Sequence, residues 1–289
     1  MRQDAKFVAA GVLLGLVGCG RSPIYCARRG ATRPCQTECG GGEQTCDGFE
    51  YGECVRPCSN ACGSGVEHCI DGEWVDCDAP TPELEATVRD FHDSHPDFQV
   101  PFSAGVEQGI VGVALGPDGL PVYLGGQDGT RTTTGLANFR QWFTNAPGTN
   151  APGPLLLDLE NLDDDPPRLG LNEEEFFPID GEFFGNEGYR HNYHFTLHIE
   201  GEVLYGGGER LEFASDDDLW VFINGRLAVD LGGTHSADEG VEFELDTLAP
   251  FLGMDPGHSY PIDLFFAERH TTSSALVFSM PSAMLSCPG

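Results

Sequence analysis

Lysine is all but missing from this chain. Its 289 residues contain one, Lys6, and 15 basic residues face 46 acidic ones, for a formal net charge of −31. A surface of that sign cannot neutralise phosphates, which excludes nucleic acid as a partner, and it disfavours adhesion to anionic lipid head groups. Long apolar runs are missing too: none reaches the roughly 18 residues that a membrane-spanning helix needs. The sequence has no P-loop, no G-x-S-x-G, no H-E-x-x-H and no C-x-x-C, so the commonest nucleotide, hydrolase and redox signatures are absent. Helical periodicity is scarce.

What is abundant points the other way. Gly 39 and Pro 20 suit a loop-rich, β-heavy protein, and 40% hydrophobic residues are enough to bury a core. The acidic excess keeps the surface soluble and attracts divalent cations.

Residues 1–18 read as a removable leader. Arg2 and Lys6 precede the apolar run Phe7–Val17, the pattern of a signal peptide. The end, Leu16-Val17-Gly18-Cys19, resembles a bacterial lipobox, whose cysteine is lipidated after cleavage; an ordinary secretory signal with an incidental cysteine is the alternative. Acylation at Cys19 would anchor the protein without spanning the bilayer, the only membrane contact expected. Gly20 in place of aspartate points by bacterial sorting custom to the outer membrane, with the extracellular side favoured.

Ten cysteines remain, and an exported chain meets oxidising conditions, so disulfides are expected at Cys26, Cys35, Cys39, Cys46, Cys54, Cys58, Cys62, Cys69, Cys77 and Cys287. Eight form a duplication. Cys35, Cys39, Cys46 and Cys54 recur as Cys58, Cys62, Cys69 and Cys77, each offset by 23, and Gly40 and Gly42 recur as Gly63 and Gly65. Tyr51 and Trp74 fill one aromatic slot. A module that short buries too little apolar surface to fold unaided, so cross-links must hold it. Zinc on four cysteines is the rival. Connectivity is open, although Cys26 and Cys287, left over from the repeats, suggest a pair.

Beyond Cys77 the organisation expected is a linker over 79–86 and a β-domain over 87–286, with the repeats at 35–78 and a tether at 19–34. Ala137–Phe143 allows one short helix and Thr87–His92 another. Alternating runs at Tyr193–Ile199, Leu211–Ala214, Leu219–Ile223, Leu227–Leu231, Val241–Leu245, Tyr260–Phe266 and Ala275–Met280 predict strands. Asn224-Gly225 is a two-residue hairpin signal. Many short strands with tight turns predict an antiparallel sandwich or barrel.

The stretch LEFASDDDLWVFINGRLAVDLGGTH, followed by SYPIDLFFAERHTTSSALVF, closely resembles the fibro-slime domain. That family occurs in bacterial surface proteins and slime-mould prespore-inducing-factor proteins and is related to the PA-14, protective-antigen-type, lectin-like β-sandwich. TVRDFHDSHPDF, FFPIDGEFFG and HNYHFT upstream are similar to the family's N-terminal part. The resemblance covers roughly residues 84–286. It implies a PA-14-like jelly-roll sandwich and a non-catalytic surface module that binds carbohydrate or an extracellular matrix polymer.

It also implies a metal. In related lectin-like domains two adjacent aspartates joined by a cis peptide hold Ca²⁺, which grips sugar hydroxyls; Asp216 and Asp217 are the matching positions. Read from the residues alone, Asp216-Asp217-Asp218 are three carboxylates that repel unless solvated or neutralised by a hard cation, or that cap the turn through backbone N–H groups. Glu268 to Ser274 is a polar loop between strands. Glu268 and His270 could complete the same cation or sugar site, or Glu268 and Arg269 could pair within the fold. Asn224 is a further ligand candidate, more simply a turn former, as is Asp230. His191, His194 and His198 have the spacing H-x-x-H-x-x-x-H, but His194 and His198 on one strand lie about 13 Å apart, too far to share an ion. Asp163-Asp164-Asp165 and Glu173-Glu174-Glu175 read as solvated loop charges. The function expected is a calcium-dependent adhesion module. A purely structural envelope or slime-matrix protein, or a glycan hydrolase with two carboxylates about a sugar bond, are the alternatives.

Overall fold

The computed structural model describes residues 26, 28–60, 63–75, 83–99, 101, 105–164 and 166–285. The leader, Cys19, Cys62, Cys77 and Cys287 lie outside them, as do the side chains of Asp163, Asp164 and Asp165. The chain divides into two compact units, a cysteine-rich one and a larger β unit.

Along the cysteine-rich stretch, β1 (Thr32–Thr37) and β2 (Gly40–Thr45) form a hairpin, and β3 (Arg56–Asn60), β4 (Gly63–Ile70) and β5 (Glu73–Val75) form a second small sheet. Disulfides join Cys26 to Cys46, Cys35 to Cys54 and Cys39 to Cys69. The expected Cys26–Cys287 pair is therefore corrected. The Cys26 backbone N–H donates to the Phe49 carbonyl, which seats Cys26 beside the first repeat. Cys39–Cys69 crosses from one repeat to the other.

The duplication extends further than its cysteines. Arg33 lies over the Tyr51 ring at 3.9 Å and donates to Gln44 Oε1. Arg56, 23 residues on, lies over Trp74 and pairs with Glu67, so each repeat places a guanidinium between an aromatic face and an oxygen acceptor. Gly42 is needed for close approach: a Cβ there would stand 2.6 Å from the Val55 carbonyl.

The larger unit opens with β6 (Glu83–Phe91), β7 (Val111–Leu115), β8 (Pro121–Tyr123), α1 (Leu136–Trp142), β9 (Asn150–Asp158), β10 (Glu160–Asp164) and β11 (Pro167–Glu173). It continues with β12 (Phe195–Tyr205), β13 (Arg210–Asp216), β14 (Asp218–Ile223), β15 (Arg226–Leu231), β16 (Val241–Glu244), the short α2 (Ala249–Leu252), β17 (His258–Glu268) and β18 (Ala275–Pro281). Eight strands make one antiparallel sheet, β8-β7-β15-β14-β17-β12-β6-β9, and five make the other, β10-β11-β18-β13-β16. Leu197, Val221 and Phe266 of the first pack against Leu171, Phe213 and Phe278 of the second. The expected sandwich is present, with every predicted strand in it.

The segment expected as linker and short helix is instead strand β6, hydrogen-bonded between β12 and β9. Val88, with β-branched Thr87 beside it, packs into the core from this strand. On β14, Leu219, Val221 and Ile223 face the inter-sheet core. Trp220 and Phe222 enter a second aromatic layer with Phe139 and Trp142 of α1. Burial on both faces explains why DLWVFI reads as an unbroken apolar run after its aspartate.

Candidate functional site

The site forms where the chain twice crosses between the sheets. Asp216 ends β13, paired with Ala275 of β18 in the five-stranded sheet, while Asp218 begins β14, paired with Ala267 of β17 in the eight-stranded one. Asp217 is the residue between. The return crossing runs from Glu268 at the end of β17 to Ala275 at the start of β18, so both connections meet at one end of the sandwich, between interior strands. The Asp216–Asp217 peptide is cis, as is Thr271–Thr272.

The crossings bring Asp216, Asp217 and Glu268 together, with a carboxylate oxygen of each within 4.8 Å of the others. Asp217 accepts the Arg269 backbone N–H at 3.1 Å and lies 3.4 Å from His270 Nδ1. Asp216 is part-exposed and accepts the Ser273 hydroxyl at 2.7 Å. Glu268 is 0% exposed. Its Oε1 accepts the His270 N–H, and the Ser274 hydroxyl is its side-chain hydrogen-bonding neighbour.

Burial pushes the Glu268 carboxyl well above the usual carboxylate range, and the charges of Asp217 and Asp216 push it further. Burial likewise raises Asp216 to about 6, with Asp217 adding to the shift. Glu268 and Asp216, crowded against Asp217, resist ionisation unless a cation joins them. Oxygen-only donors of this kind match calcium, which takes 6–8 oxygens and leaves positions open for water or hydroxyl groups.

Asp218 is not part of the cluster. Its side chain turns into the core and pairs with Arg269 at 2.7 Å, both residues fully buried. Burial outweighs the guanidinium and holds this carboxyl at about 6. Arg269 also donates to the Thr132 carbonyl and lies 4.7 Å from the Trp142 ring centroid. The Glu268–Arg269 pairing is thereby replaced: adjacent residues of one crossing point opposite ways, Arg269 to the core and Glu268 to the cluster.

His270 borders the site, but Asn224 does not. Asn224 sits in the hairpin at the far end of β14, about 20 Å from Asp218 at about 3.3 Å per residue. There it adopts φ 53 and donates to the Leu252 carbonyl. Asp230 is also structural, accepting Trp220 Nε1–H and the Gly109 N–H. His191 binds Asp180, and His194 binds Gln99 with its ring lowered to about 4, chiefly by burial.

Residues 185–288 match the family model of the PA14 domain. Among curated proteins the chain is similar to protein psiR of Dictyostelium discoideum, 36% identical over 208 residues, and to protein psiD of the same organism, 37% over 207. Each match covers 67% of this chain but 20% of psiR and 40% of psiD, so the chain spans well under half the length of these relatives. Among solved structures it aligns with a PA14 sugar-binding domain from an RTX adhesin, at 11% identity and a TM-score of 0.35, covering 72% of this chain and 99% of that one. A PA14 domain of the MpAFP antifreeze protein aligns at 12% identity and 0.32, covering 74% and 96%. Residues 185–288, which span β12 to β18 and supply all three carboxylates of the cluster, are similar to the PA14 domain.

Proposed function

We propose that the larger unit is a calcium-dependent carbohydrate-binding module of a surface protein. The observation that carries this is the cluster itself: Glu268, a fully buried carboxylate, is held against Asp216 and Asp217 with no basic side chain in the group. Asp216, Asp217 and Glu268 would hold the ion, and the ion would supply open coordination positions to vicinal sugar hydroxyls. Asp216, His270 and the exposed Thr272 and Ser273 form the rim a ligand would meet.

Burial also favours binding over hydrolysis. A glycosidase acid must reach the glycosidic oxygen, and Glu268, the carboxyl most inclined to hold a proton, has no exposed surface. An acyl anchor at Cys19, read from Leu16-Val17-Gly18-Cys19, would hold the module at a bacterial outer membrane.

The test is a glycan array probed with calcium and again with EDTA. Calcium-dependent capture of a sugar class supports the reading. Calcium-dependent stability with no sugar bound assigns the ion a structural role, and turnover of any glycan overturns the non-catalytic assignment.

A further inference from the structure

We propose a second metal site, for a borderline divalent ion such as Zn²⁺, on the outer face of the eight-stranded sheet at His198, Glu200 and Asp263. A ligand atom of each lies within 4.8 Å of the others. His194 precedes β12 and binds Gln99, whereas the sheet supplies His198 with partners from its neighbours. His198 and Glu200 are two residues apart on β12 and share a face, opposite the core-facing Leu197 and Ile199. Asp263 of β17 stands directly across from Glu200, and Glu85 of β6 stands across on its other side.

Three carboxylates therefore form a row over three adjacent strands, an arrangement that like charges make unfavourable. The row continues to Leu156 at one end and Phe222 at the other, so it contains no basic residue. A divalent ion would cancel two of the three charges.

The imidazole is already set in place. Its ring stacks on Phe265 with centroids 4.2 Å apart, and Nε2 lies 2.9 Å from Asp263 Oδ1. His198 and Asp263 are mostly buried while Glu200 is exposed, which gives an ion fixed inner ligands and an open entry. One nitrogen with two or three carboxylate oxygens suits zinc, whose sites mix imidazole and carboxylate, better than calcium, which takes oxygen alone. Asp263 lies five residues from Glu268 along β17, about 17 Å, so the two sites are separate.

Titrating zinc into the calcium-saturated full chain by calorimetry tests the site. One equivalent is expected, weakened at least tenfold by Glu200→Gln and abolished by His198→Gln, and unchanged in Asp216→Asn/Asp217→Asn. Glu200 is exposed, so its variant keeps the fold, which an unaltered melting temperature without zinc verifies. Absence of zinc binding, binding as tight as wild type in both sheet-face variants, or loss only in the Asp216/Asp217 variant would overturn the assignment.

Discussion

Replacing Glu268 with glutamine separates a metal ligand from a packing residue. The amide fills the same volume and its oxygen can still accept the His270 N–H. In calcium-free protein near pH 7 the substitution should leave the melting temperature unchanged or raise it. The reason lies in the sign of the shift: a carboxyl whose folded pKa is raised loses stability as pH rises past its unfolded value, and glutamine has no such loss. With calcium the order reverses. A unit charge about 4 Å from a divalent ion is worth about 8 kcal/mol at an effective dielectric of about 20, before desolvation is subtracted. A loss of about 100-fold in affinity, about 2.7 kcal/mol, is a modest share of that.

Calcium at about 100 times the wild-type dissociation constant adds about 2.7 kcal/mol, a rise of roughly 5–11 °C for a unit near 200 residues. At the same concentration the variant would gain about 0.4 kcal/mol, or about 1–2 °C. Differential scanning calorimetry with calcium and with EDTA reads both quantities. A variant that melts lower in EDTA yet keeps the full calcium shift would show that Glu268 is a packing residue and refute the reasoning.

Arg269→Met should cost about 3–5 kcal/mol in urea denaturation because it strands Asp218 in the core; adding Asp218→Asn should recover part of it, and no recovery would contradict the pairing. Asp90 is fully buried and accepts N–H groups from Asn192 and Phe184, and burial lifts its carboxyl to about 6. The folded state thus holds that proton more tightly than the unfolded one. Wild type should lose up to about 3 kcal/mol relative to Asp90→Asn as pH rises from about 4 to about 7, and a pH-independent difference would exclude this. Removing Cys39–Cys69 by double serine substitution should cost the cysteine-rich unit about 3–4 kcal/mol, since it closes a 30-residue separation. A non-reducing peptide map that finds Cys39 joined to another cysteine would dispose of that prediction.

The seven strands β12 to β18 were legible because one or both faces meet apolar neighbours, which leaves alternation or an apolar run in the sequence, whereas β7, β8, β10 and β11 went unread. β9 was not legible either, since Pro152 and Pro154 argue against a strand. Its place at the sheet edge resolves this: two residues apart, both prolines turn their missing donors to the open side. β6 was obscured by Glu, Ala and Arg, which favour helix in isolation, and tertiary pairing on both edges decided it. At the site, the resemblance picked out Asp216 and Asp217, and the chain order kept Glu268 within view. What the sequence could not assign was the division of labour between neighbours. Asp217 and Asp218 differ only in the face of the chain they occupy, and Glu268 and Arg269 likewise point to opposite faces. The zinc candidate was hidden because its ligands lie on different strands, joined by register and not by spacing.

Calorimetric titration of calcium chloride into the full chain, beside its Asp216→Asn/Asp217→Asn variant, tests the central assignment most directly. One equivalent bound by wild type and lost in a variant that still folds is the predicted result. No binding to wild type, or the same isotherm from both proteins, would contradict it.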